Sequence, residues 1–155
     1  MTKLSSKSDG VSIFQQAVTL LMMQVVVPLE IFPEPGTVAN PAALYDGDNV
    51  FVCYEASARD GGGNVVLRFG DVIDFRVTPV NVDGLGDCRY PIKPWAFNEI
   101  LGGAETSRWP ALAPRFWMMS FNDVTIEILF DTVAIASRDS EGGPQHKTLM
   151  NALAG

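Results

Sequence analysis

Carboxylates, one histidine and two cysteines are the residues of this chain that could carry out chemistry. His146 is the sole histidine, so a Ser–His–Asp or Cys–His arrangement would have to use it. It follows Gly142-Gly143-Pro144 close to the C-terminal end, a poor place for a base that must be held to a fraction of an ångström. A solvated histidine is the expectation. The sequence contains no G-x-S-x-G, H-E-x-x-H or G-x-x-x-x-G-K-S/T. Gly84-Leu85-Gly86-Asp87 opens like a dinucleotide loop but lacks the third glycine. No catalytic residue is therefore assigned.

Cys53 and Cys88 form no C-x-x-C, and there is no histidine pair to complete a zinc site. Asp83 and Asp87 lack the ligand spacing of an EF-hand. The sequence thus predicts neither a metal nor a cofactor. Both cysteines read as free thiols in a reducing compartment, which implies a cytoplasmic protein.

The remaining acid–base candidates are carboxylates. Glu127 sits inside an apolar run, where burial would raise its pKa and fit it for proton transfer. The alternative is that it faces water or pairs with Arg76 or Arg115 across a sheet. Asp74 and Arg76 share the polar side of an alternating segment in which Ile73, Phe75 and Val77 are apolar. Glu99 reads as a solvated helix-face residue.

Tyr90 to Phe121 has the most unusual composition. It contains all three tryptophans, Trp95, Trp109 and Trp117, with Pro91, Pro94, Pro110 and Pro114 stiffening it. Arg89, Arg108 and Arg115 interleave. Aromatic and arginine-rich surface marks protein interfaces, and aromatic residues also line ligand pockets. They equally fill the core of a small β-protein. The candidate binding residues are Trp95, Trp109, Trp117, Arg76, Asp74 and Glu127.

These side chains must be positioned by one domain of ordinary size. The chain has 155 residues, 47% of them apolar, which excludes a wholly disordered protein. Eleven Lys and Arg stand against 18 Asp and Glu, a net charge of −7. The basic residues are scattered, so no phosphate-tracking stripe exists and nucleic acid is excluded as a partner.

Val11 to Val27 is largely apolar, but Gln15, Gln16, Thr19 and Gln24 interrupt it and no small-x-small cleavage site follows. It is too short and too polar for a membrane span. Val11, Phe14, Val18, Leu21, Met22 and Val25 follow helical spacing and predict an amphipathic helix. Val25 to Ile31 beyond it reads as extended, and Pro33 to about residue 47 as a loop.

Strand signals dominate afterwards. Val50–Ala56 and Val65–Phe69 flank a glycine-rich turn. Ile73–Val77 alternates, Phe116–Phe121 is strongly apolar, Asn122-Asp123 reads as a tight turn, and Val124–Phe130 alternates again. Thr132–Ser137 reads as one more strand. Pro94 and Gly102 bracket a predicted short helix. No alternating strand–helix series appears.

The fold class is therefore mainly β (α+β): an antiparallel β-sandwich or partly closed barrel, with an N-terminal amphipathic helix. The expected organisation is a flexible N-terminus at 1–10, one globular domain at 11–137, and a C-terminal tail or short helix at 138–155.

Phe116-Trp117-Met118-Met119-Ser120-Phe121-Asn122-Asp123-Val124-Thr125-Ile126-Glu127 resembles a pattern in several uncharacterised bacterial protein families. In these, an aromatic strand, a polar turn and a T-x-E-like strand recur near the C-terminus. The resemblance implies a small bacterial β-rich protein and brings no catalytic residues. Some bacterial immunity proteins are similar in being small, acidic and without catalytic motifs, a likeness of type alone.

Two functional expectations follow. The first is a non-enzymatic domain that binds another protein or a second copy of itself. The second is a small-molecule-binding domain, an enzyme using carboxylate acid–base chemistry among its forms, with Asp74, Arg76 and Glu127 as polar groups and the tryptophans as walls.

Overall fold

The alternating and apolar runs become paired strands in the computed structural model, which describes residues 23–155. The predicted N-terminal helix lies outside the described residues up to Met22. Val25, which both the helical spacing and the extended run include, belongs to a strand, β1 (Gln24–Val26).

Eight further strands follow: β2 (Ala42–Tyr45), β3 (Val50–Glu55), β4 (Asn64–Gly70), β5 (Asp74–Thr78), β6 (Phe97–Leu101), β7 (Arg115–Ser120), β8 (Thr125–Phe130) and β9 (Thr132–Asp139). They form two antiparallel sheets, ordered β1-β6-β7-β8-β5 and β2-β3-β4-β9. The described residues form no closed barrel. Helices are few: α1 (Ala104–Ser107) and α2 (Gln145–Ala154), with short 3-10 turns at Ala58–Asp60 and Val82–Asp87.

Alternation decides which residues face the shared core. On β8, Ile126, Ile128 and Phe130 point to it while Thr125, Glu127 and Leu129 point away. Trp117 and Met119 of β7 face Val52 and Tyr54 of β3 and Leu67 and Phe69 of β4 across the two sheets. Trp117 is the largest fully buried side chain, with its ring edge-on to Phe69 and Phe130 and stacked on Phe97. Each such pair contributes about 0.5–1.5 kcal/mol beyond area burial.

Two smaller clusters cover the outer faces. Leu149 of α2 packs on Cys53 and Val66, so β4 is buried on both sides. This accounts for its apolar run Val65-Val66-Leu67, interrupted at the exposed Arg68. Over the five-stranded sheet, Tyr90 and Ile92 pack on Phe116, Met118 and Leu129.

Three expectations are corrected. Residues 97–101 are a strand rather than a helix, because Phe97 and Glu99 pair with Met119 and Trp117 of β7. The segment from Pro33 to residue 47 is not a plain loop: β2 pairs along β3, and Pro35 bridges to Ala56. Glu99 lies on β6, nearly buried and bonded to Arg115, instead of facing solvent on a helix. The C-terminal stretch resolves into the end of β9 followed by α2.

Candidate functional site

The outward residues of β5 and β8 stand side by side. Arg76 is directly opposite Glu127 in the antiparallel register, and Asp74 is opposite Leu129. Beside them, on β7, Phe116 is opposite Leu129. The floor so formed is apolar at Phe116 and Leu129 and charged at its β5 side. Above it lie the two segments that flank β6, residues 82–92 and 104–112, which supply Arg89, Glu105, Arg108 and Trp109 as a wall. Floor and wall enclose an open cleft of about 300 Å³.

An ion-pair network braces the wall. Arg89 pairs with Glu105 at 3.0 Å and donates a short hydrogen bond to Glu127. The Tyr90 hydroxyl donates to Glu105 at 2.5 Å. Burial, followed by this bond to a carboxylate, pushes the Tyr90 phenol up to about 12. Glycine at position 103 permits the close approach, since a Cβ there would lie 2.9 Å from the Tyr90 hydroxyl oxygen.

The other two cations of the cleft are freer. Arg76 meets Asp74 only at 3.5 Å, with both side chains more than half exposed. Such a pair contributes about 0–1 kcal/mol. Arg108 is exposed and pairs with no carboxylate among the described residues. Trp109 is 42% exposed at the rim.

Of the six candidate residues, Asp74, Arg76, Trp109 and Glu127 line this one cleft. Trp117 does not. It faces the other side of β7 and is 0% exposed, so its part is structural. Trp95 also lies outside the cleft. It is half-buried, at a positive φ of 48° just after Pro94, and its indole N–H is buried without a partner. Glu127 takes Arg89 as its partner in place of Arg76 or Arg115. Glu105 carried no signal in the sequence, Tyr90 appeared there only as the first aromatic of the stretch to Phe121, and Arg89 and Arg108 only as interleaved arginines.

Elsewhere, both cysteines are free. Cys53 is buried beneath α2, and desolvation pushes its thiol up to about 11. His146 is exposed on α2. Among the described residues no group of three or more His, Cys, Asp or Glu is placed to hold a metal ion. No helix among them is long and apolar enough to cross a membrane. No family model, no curated protein and no solved structure matches this chain.

Proposed function

We propose that this chain is a non-enzymatic binding domain built as a β-sandwich, and that the cleft over β5 and β8 is its binding site. The observation that carries the reading is the convergence of Trp109, Arg76 and Arg108 around an apolar floor in one cavity. Its volume lies at the small end of ligand sites, which points to a small molecule. Glu127 and Glu105 both engage Arg89, so they serve to fix the wall. Binding, rather than proton transfer, is the use that leaves them in place.

The two free thiols support a reducing compartment, the cytoplasm. Native mass spectrometry of protein purified without refolding tests the reading. A retained small adduct on the wild type, lost from Trp109→Ala, is the expected result. An adduct equally retained by Trp109→Ala would place binding elsewhere.

A second reading, a docking site for another protein, draws on one feature. Trp109 and Leu112, 42% and 59% exposed, project from a single turn that the Leu112 and Ala113 amides close on the Trp109 carbonyl, with Pro110 inside it and Pro114 after it. Exposed aromatic residues on stiff turns suit interface anchors. A partner protein lost on Leu112→Ser, with the small adduct unaffected, would favour it.

A further inference from the structure

Resting on the cleft as the binding site, we propose that its ligand is a small organic monoanion, a carboxylate carried on an apolar or aromatic body. The charged groups of the cleft divide into committed and available ones. Arg89 is committed: Glu105 and Glu127 both engage its Nη2. Arg76 and Arg108 are available, the first holding Asp74 only at 3.5 Å and the second holding no carboxylate among the described residues. A guanidinium presents a planar fork of donors that matches a carboxylate. The uncharged part of the ligand would lie over Phe116 and Leu129 against the half-exposed face of Trp109.

The same inventory sets the ligand's charge. Arg76, Arg89 and Arg108 are matched in number by Asp74, Glu105 and Glu127, so the empty cleft is formally neutral. One added negative charge meets two available arginines. A phosphate dianion would bring a second negative charge into a cleft that three carboxylates also line. A cation would face Arg76 and Arg108. A volume of about 300 Å³ leaves room for one ring and its acidic arm, not for a nucleotide.

Four probes of one size test this by calorimetric titration of the full chain: phenylacetate, 2-phenylethanol, phenethylamine and phenyl phosphate. Phenylacetate should bind at least about tenfold more tightly than 2-phenylethanol, a difference of about 1.4 kcal/mol. Arg108→Gln should reduce phenylacetate to the level of the alcohol. Trp109→Ala should weaken acid and alcohol together. Both positions are exposed, so circular dichroism and melting should match the wild type.

Tighter binding of phenethylamine or phenyl phosphate, still lost with Trp109→Ala, would overturn the monoanion and leave the cleft as the site. Equal affinity for acid and alcohol would overturn it in the same way. Binding of none of the four, to a protein that also carries no retained adduct, would overturn the ligand class and the site together.

Discussion

Arg115 donates from Nε to Glu99 at 2.7 Å and from Nη2 to Glu30 at 2.8 Å, and its guanidinium lies over the rings of Trp117 and Phe130. The Glu99 side chain is only 9% exposed. Removing the arginine would strand that carboxylate, and the stranded charge costs more than the lost pair. Arg115→Met should therefore lower stability in urea by about 2 kcal/mol, and adding Glu99→Gln should restore much of it. A loss below about 0.5 kcal/mol would reduce the cluster to an ordinary surface pair. The Arg115 hydrogen bond holds the Glu30 carboxyl below its usual range. A depressed folded-state pKa gives stability that is fully present above the unfolded value, about 4.3, and is lost as pH falls through the folded one. Glu30→Gln should flatten that acidic part of the stability profile.

At the scale of elements, α2 acts as a lid on the four-stranded sheet. Leu149 packs on Cys53 and Val66, and the Thr148 hydroxyl accepts from the buried amide of Asn64 at 2.8 Å. Leu149→Ala should cost about 2–3 kcal/mol, in the range for a truncated core leucine. In a Cys88→Ser background it should also speed the reaction of Cys53 with a disulfide reagent, because local opening then exposes the thiol. Unchanged thiol kinetics would mean that α2 does not gate Cys53.

The elements whose period is written locally were legible in the sequence. β5 and β8 alternate, β7 is an apolar run, and Asn122-Asp123 marks the turn between the last two. β6 was not legible. Pro94 and Gly102 look like helix boundaries, whereas the deciding contacts lie some twenty residues away: pairing with β7 and the stacking of Phe97 on Trp117 at 5.8 Å. The site divides likewise. Asp74, Arg76 and Glu127 follow from strand alternation. Trp117 was misjudged because composition cannot tell which face of a strand is buried. Glu105 depends on how the segments flanking β6 fold over the sheet, a matter of tertiary packing.

For the whole molecule, the consequence of these layers is cooperativity. Trp117 touches side chains of both sheets, and β4 shares one face with the other sheet and the other with α2. Each sheet would keep only its smaller outer cluster if its neighbour left, so the two should unfold as a unit. The cleft wall is tied less firmly. It rests on the smaller outer cluster and on a network in which Arg89 is half exposed. Urea unfolding followed by far-ultraviolet circular dichroism and by tryptophan emission of a Trp95→Phe, Trp109→Phe double variant should give coincident midpoints, since Trp117 is then the one tryptophan left and reports from the core. Hydrogen exchange should show the wall amides on either side of β6, residues 89–92 and 105–112, opening well below the global unfolding free energy, with those of β6, β7 and β8 opening only near it. Separate midpoints for the two optical probes would show that the sheets are distinct folding units despite their shared aromatic cluster. Equal protection in wall and sheet would make the cleft a rigid part of the core, and a ligand would then have to enter without displacing it.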